Sequence, residues 1–510
     1  MRNRYHEDCR RAWLIAAALL ALGAVLRLAC IGALPYGLNQ DEASAGYEAW
    51  ALLHGGADRC GNSWPLLFVS WGSGQNVLMS YLAMPFVALL GLSPLSIRLP
   101  NAISGCLTLF VFWRLARRCG GERFGLAALA LLVINPWHIM MSRWALESNL
   151  LPFFLLTGIW LTVEAEERPW ALLGAAASFG LSLYAYGTAF FFLPVYLILA
   201  VIWLRKHLRF WPFATALLLF LVLALPIGLC QLRNALGMES LTVLGVTLPR
   251  LTEGRQAATS VFGGGGFAAA QENFKLFLRM LWQGGDGLRY NALDFWHGGL
   301  LYFFGLPTAV LGLGVSLFCR KDRRAEGPMR IALLSGLLCA FLIDGNVNRL
   351  NMLWLPIIYF SAVGCHTLLG KLRGWTVLPV LGAAACLLLF LGSYTETFGG
   401  EGNAAYFPGL CETIAAAEAR AEEGETVYIT DWVNQPYIFA LFTTQTPAET
   451  FYENVEYANA SAAFRQVNRF PGFEFREPER ADYLILHRTE TEGRTVLCSA
   501  GRFVLCRNKR

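Results

Sequence analysis

From residue 12 to about 395 the chain is a succession of apolar runs of about 17 to 25 residues, separated by shorter polar segments. At 1.5 Å per residue, such a run matches the ~30 Å hydrocarbon core of a bilayer. None shows the period-two alternation of a barrel strand. A bilayer also forbids unpaired backbone groups, so the runs predict membrane helices. They fall at 12–34, 98–117, 124–142, 149–163, 170–185, 188–204, 211–230, 299–318, 329–343, 352–370 and 375–393, about eleven spans. The first reads as a retained helix, because Cys30-Ile-Gly-Ala-Leu-Pro is a poor leader-cleavage sequence. The apolar stretch 75–92 differs from these: Gln75 and Asn76 open it, Pro85 interrupts it, and no cation closes it. It predicts a juxtamembrane or re-entrant helix within a first outer loop, 35–97.

After residue 396 the pattern changes to mixed charged and apolar positions. A polar helix at 408–423, a strand at 426–430, an amphipathic stretch at 434–442, a helix near 457–468 and a strand at 483–486 predict a small α/β domain over 396–510. Asp431 ends the first of these strands. Sheets often bind ligands there, although a turn or cap is the commoner role for such an aspartate.

Charge orients the picture. Only 15% of residues are charged, against about 25% in soluble domains. The net charge of +5 is spread over alternate loops, at Arg2–Arg11, Arg114–Arg118, Arg205–Arg209, Arg320–Arg324 and Lys371–Arg373. That distribution predicts membrane orientation and no nucleic-acid partner. It puts the N-terminus in the cytoplasm and, with an odd number of spans, the C-terminal domain outside. The expected location is the plasma or inner membrane. Most of the 13 cysteines are single and set in apolar runs, where they act as small apolar residues. Cys498 and Cys506 are spaced for a cross-strand disulfide that would leave Cys411 over.

The chemistry-bearing residues gather at the predicted outer ends. Asp41 and Glu42 stand where the first helix leaves the bilayer, a costly position unless they face water or a partner. Asn39 and Glu42 also have capping-box spacing, which accounts for Glu42 structurally and leaves Asp41 as the stronger candidate general base. His54 and Asp58 follow in the same loop and match no metal-ligand spacing. Arg143, Arg349, Arg233 and Arg289 are candidate phosphate clamps. Their alternative roles are snorkelling or pairing, as of Arg143 with Glu147. Asn346 and Asn348 flank Arg349, and His138 is either an interfacial residue or a site residue. His297 and the Gly263–Gly266 run lie in a long polar loop, 231–297, expected to close over the site.

Helix one, the LNQDE opening of the first outer loop and the stretch GQNVLMSYLAMPFVALLGLSPLSIRLPNAISG resemble the membrane-embedded GT-C glycosyltransferases. FGLAALALLVINPWHIMMSRWALESNLLPFF resembles the third and fourth spans of family 39, which includes protein O-mannosyltransferases and the lipid A aminoarabinose transferase. The resemblance covers roughly 10–205 and weakens through 206–395. It implies transfer of one sugar from a polyprenyl-phosphate donor to a lipid, glycan or protein acceptor outside the membrane, with Asp41 as general base and Glu42 as its companion. Trp71-Gly-Ser-Gly-Gln75 stands where the family carries a basic motif, so donor and acceptor identity do not carry over. The combined expectation is an inverting transferase without cofactor or metal, in which Arg349 and Arg143 meet the departing phosphate. The competing expectations are a lipid or solute transporter and a non-catalytic membrane scaffold.

Overall fold

The computed structural model describes residues 2–508, apart from 72, 253–259, 262–265, 289–290, 292–298, 320–323, 372–376 and 463. Arg289, His297 and most of the Gly263–Gly266 run therefore lie outside the described residues. Helix α1 (Arg2–Leu28) ends six residues before the predicted limit. After a turn, α2 (Gln40–Gly55) carries the acidic pair. A hairpin, β1 (Leu67–Ser70) with β2 (Ser73–Asn76), then leads into α3 (Leu78–Leu90). At 13 residues α3 is roughly 20 Å long, too short to span a bilayer upright. It packs on α2.

Next, α4 (Pro94–Ile134) joins two predicted spans across a break at Gly121, whose φ is 84°. Gly125 lies against the Arg117 backbone, although a straight helix would hold residues eight apart at about 12 Å. The chain therefore reverses there. A second break follows, because Asn135 caps α5 (Pro136–Ser142) and Pro136 cannot extend the preceding helix. The chain bends by 119° between this short helix and the segment Glu147–Glu164, whose main helix is α6 (Leu151–Glu164). Then come α7 (Ala171–Ala185), α8 (Ala189–Leu204), α9 (Phe210–Ala235), α10 (Gly266–Gln283), α11 (Tyr302–Gly314), α12 (Gly327–Leu342), α13 (Asn351–Leu369) and α14 (Val377–Phe398).

Among the described residues, five helices are long and apolar enough to cross a membrane, and six if the bent pair counts as one span. Five shorter apolar helices lie among them. The loops expected on the cytoplasmic side meet at one end of the bundle. Arg118 pairs with Glu167 at 2.5 Å, and His207 lies 4.0 Å from Glu166.

Helices α11 and α13 approach backbone to backbone. A Cβ on Gly312 would stand 1.8 Å from the Phe360 carbonyl oxygen, and one on Gly364 would stand 2.0 Å from that of Thr308. Thr308 and Ser361 hydroxyls bond across the same seam at 2.7 Å. Small residues permit such contact, which in lipid replaces the missing hydrophobic drive between helices. Gly364→Ala is expected to cost about 1–3 kcal/mol by overpacking. The thermal unfolding midpoint in detergent should fall, and an unchanged midpoint would reject the close-packed seam.

Beyond α14, a seven-stranded mixed sheet runs in the order β10-β11-β9-β5-β8-β7-β6. Its strands are β5 (Val427–Ile429), β6 (Glu456–Tyr457), β7 (Val467–Phe470), β8 (Phe473–Glu474), β9 (Tyr483–His487), β10 (Thr495–Ala500) and β11 (Phe503–Arg507). Central β5 is parallel to both β8 and β9. Helices α15 (Leu410–Glu418), α16 (Pro436–Thr444) and α17 (Ala448–Asn454) accompany it. The helix expected near 457–468 is not formed. The Asn459 side chain accepts from Gln466 N (2.7 Å) and donates to the Phe464 carbonyl (3.0 Å), closing a turn in place of helical bonds. Cys498 and Cys506 are free thiols. Their strands pair Cys498 with Leu505 and Cys506 with Val496, so the two sulfurs are out of register.

Candidate active site

At the bundle end opposite the Arg118–Glu167 pair, a cavity of about 640 Å³ opens between the helices and the C-terminal sheet region. Asn39, Gln40 and Asp41 line one wall, and Asn346, Asn348 and Arg349 line another. The hairpin supplies Trp71 and Gln75, and the break before α6 supplies Trp144 and Glu147. Ala405, Phe407, Asn434 and Phe464 form the roof.

The capping box predicted for α2 is formed. Asn39 Oδ1 accepts from Asp41 N at 3.0 Å, and Glu42 Oε2 accepts from Asn39 N at 3.1 Å. Glu42 is fully buried. Arg98 donates to both its oxygens, from Nε at 2.8 Å and Nη2 at 2.9 Å, and Ala145 N donates at 3.0 Å. The same guanidinium donates to the carbonyls of Ile31, Pro35 and Gly37. Glu42 thus fixes where the first helix hands over to α2, and it does not line the cavity. The sequence placed Glu42 in the chemistry beside Asp41, whereas in the structure its contacts are with Arg98, Ala145 N and Asn39 N. Asp41, one residue earlier, is half-buried and faces the cavity at the positive end of α2, where anions are favoured. Glu42→Gln should cost about 3–5 kcal/mol, because it leaves Arg98 buried without its counter-charge. Thermal unfolding followed by intrinsic fluorescence checks this, and a midpoint like that of the parent would reject it.

Arg349 lines the same cavity. Its Nη1 donates to Asp344 Oδ2 (3.1 Å) and to the Asp344 carbonyl (2.9 Å), and its backbone N donates to Asn346 Oδ1 (2.8 Å). Asp286 holds this loop from the long polar segment by accepting from Val347 N at 2.9 Å. Asn348 is 6% exposed, and its Oδ1 has no hydrogen-bond partner among the described residues. A buried acceptor left open in a cavity wall is a place for a ligand hydroxyl.

Glu147 was weighed in the sequence only as a partner for Arg143. It is nearly buried in the cavity wall, where it accepts from Asn76 N. Asn101 secures its segment by donating to the carbonyls of Trp144 (2.6 Å) and Leu146 (3.0 Å).

Five other candidates lie elsewhere. Arg143 is spent inside the bundle on Tyr394 and on the carbonyls of Leu26 (3.1 Å) and Leu34 (3.0 Å). His138 is buried against Arg27, 2.6 Å from its Nη2. Both sit where broken helices expose carbonyls, and these polar groups satisfy one another. His54 stacks on Trp50, and Asp58 caps the 58–62 turn by accepting from Cys60 N and Asn62 N at 2.9 and 2.8 Å. Burial raises the Asp58 carboxyl above its usual range, against the pull of the Asn62 hydrogen bonds. Neither lines the cavity. Beside them Arg59 and Glu48 form a buried ion pair at 2.7 Å, with the guanidinium 5.1 Å from the centre of the Trp71 ring, which buttresses the cavity wall. Arg233 donates to the Glu239 carbonyl at 2.7 Å and is not in the wall. The long loop does reach the site: Leu288 lines the cavity, and its β3–β4 hairpin (Leu241–Val243, Val246–Leu248) bonds to Ser63 and Leu66 of the first outer loop.

Residues 57–229 match the family described as dolichyl-phosphate-mannose-protein mannosyltransferase. The match begins after Asp41 and covers about a third of the chain. No curated protein matches the sequence. ArnT from Cupriavidus metallidurans in the apo state superposes with a TM-score of 0.57 at 13% identity, over 98% of each chain. The same protein bound to undecaprenyl phosphate gives 0.56 at 12% identity, over 97% of each. The Archaeoglobus fulgidus oligosaccharyltransferase complex with Zn and sulfate gives 0.54 at 13% identity, over 93% of this chain and 68% of that one. These likenesses extend through the C-terminal region, well past the segment whose sequence pattern is recognisable. The chain thus shares the fold of ArnT over nearly its whole length, and residues 57–229 within its first half carry the sequence pattern of a glycosyltransferase family.

Proposed function

We propose that this protein transfers a single sugar from a polyprenyl-phosphate donor to an envelope acceptor (lipid, glycan or protein) on the outer face of the cell membrane. The observation that supports the reading is that Asp41 and Arg349 both line one cavity, at the bundle end away from the Arg118–Glu167 pair. A transferase of this kind needs a base for an incoming hydroxyl and a cation for an outgoing phosphate. The undecaprenyl phosphate bound to ArnT is the same chemical class as the proposed leaving group.

In the proposed step, the acceptor hydroxyl oxygen attacks the anomeric carbon from the face opposite the phosphate. The carbon–oxygen bond to phosphate breaks, and its electron pair stays on the phosphate oxygen. Asp41 takes the hydroxyl proton. Arg349 meets the charge that grows on the phosphate. A single displacement inverts the anomeric centre. Asn348 Oδ1, open in the wall, receives a sugar hydroxyl. The hairpin and α3 line the lipid's approach, and residues 1–395 form the transfer domain with 396–510 as an extracytoplasmic cover. We place about eleven spans in this arrangement, with the N-terminus cytoplasmic.

The step runs without a metal or other cofactor, because the leaving group is already a phosphate met by an arginine. EDTA is expected to leave turnover within about twofold, a change too small to represent the loss of a charge-stabilising group. A loss restored by added divalent metal would reject this part of the proposal.

The function itself is tested in a strain lacking the protein, by mass spectrometry of envelope glycans and lipids. One sugar should disappear while its lipid-linked form accumulates. A transporter would instead move substrate across reconstituted vesicles with no covalent product.

A further inference from the structure

A second polar cleft, about 360 Å³, lies at the carboxyl end of β5 and is lined by Asp431, Trp432, Asn434, Gln466 and Arg476. It adjoins the main cavity, since Asn434 lines both. Trp432 is 59% exposed, with one ring face stacked on His487 at 4.4 Å and 6°. Arg476 donates to Gln466 across the cleft, setting a charged group and an amide side by side. Phe464, 45% exposed, and Trp71 stack at 6.3 Å where the roof meets the hairpin, and both border the main cavity. The C-terminal region is fixed at this height. Tyr47 of α2 donates to the Thr446 carbonyl at 2.6 Å, and Asn39 donates to that of Ala405 at 3.2 Å.

An exposed tryptophan beside planar carboxylate, amide and guanidinium groups matches one ligand chemistry. Sugar rings present flat C–H faces to aromatic rings, and their neighbouring hydroxyls form paired hydrogen bonds to planar polar groups. A peptide would ask instead for a strand edge or side-chain pockets. A lipid tail would ask for an apolar wall.

We propose that this cleft is an acceptor subsite for a carbohydrate chain, which lies along Trp432 and Asn434 and delivers its terminal hydroxyl to Asp41. The inference rests on the proposed transfer reaction and names its acceptor class. The acceptor then comes across the C-terminal region while the donor comes from the membrane, so the two substrates do not share a path.

The test is saturation-transfer NMR on the full-length protein in detergent, with maltoheptaose, chitohexaose and a linear mannohexaose as probes and a serine-containing hexapeptide as comparison. At least one glycan should receive saturation from the parent and from Asp41→Asn, with its apparent affinity reduced roughly tenfold in Trp432→Ala by loss of an aromatic contact, and by a roughly similar factor in Asn434→Ala by loss of a hydrogen bond. No transfer to any glycan would overturn the proposal. So would transfer indifferent to both substitutions, or transfer to the peptide alone. Binding is read without turnover, so glycan binding at the cleft in a protein that moves no sugar would reject the transfer reaction and leave the subsite standing.

Discussion

Asp41→Asn should retain the fold and lose sugar transfer by about 10²- to 10⁴-fold, the usual contribution of a positioned general base. The side chain is half-buried at the first turn of α2, and the capping of that helix rests on Asn39 and Glu42, which the substitution leaves in place. Asparagine keeps the size and the first-turn polarity but cannot take a proton. The loss should therefore appear far more in turnover than in the unfolding midpoint. Release of polyprenyl phosphate by purified protein in lipid is the measurement. Near-normal turnover would remove Asp41 as the base and return attention to Glu147, the other carboxylate in the cavity wall.

Arg349→Ala should cost about 10²- to 10³-fold in turnover, comparable with removing one group that stabilises developing negative charge. Arg349→Lys should recover part of it, because a lysine supplies the charge without the planar fork. The present contacts of Arg349 are with Asp344 at a loop edge, and an exposed pair of this kind contributes little stability. A stability loss as large as that of Glu42→Gln, or a turnover close to the parent's, would place Arg349 outside the reaction. The two variants also separate in kind. Removing the base makes turnover dependent on the acidity of the acceptor hydroxyl, and removing the arginine makes it dependent on the leaving group.

The sequence brought Asp41, Arg349, Asn346 and Asn348 forward because loop charges put their helix ends on one side of the bilayer, and the structure brings all four to one cavity. Arg143 and His138 satisfied the same criterion but turned inward. A helix end inside a bundle offers unsatisfied carbonyls, and a polar side chain there meets those first. Glu147, Leu288, Asn434 and Phe464 were not legible as partners, since they reach the cavity from segments far apart in the chain, and no local pattern encodes that meeting. The break at Gly121 falls between the predicted spans 98–117 and 124–142, whereas that at Asn135 was hidden by hydropathy averaged over the run 124–142. The seven-stranded sheet was visible at Val427–Ile429 and Tyr483–His487, where apolar strands are central, and was missed at Val467–Phe470 near its edge.

Ala405, Phe407, Asn434 and Phe464 close over residues that are synthesised earlier, from Asn39 to Arg349. While the chain is being made, Asp41 and Arg349 are both in place before the segment that encloses them has left the ribosome. The segment that closes the cavity is thus made after both of the walls it covers. Chain order thus works as a timer, and a ribosome that stalls after α14 leaves a membrane bundle with an open and unsheltered floor.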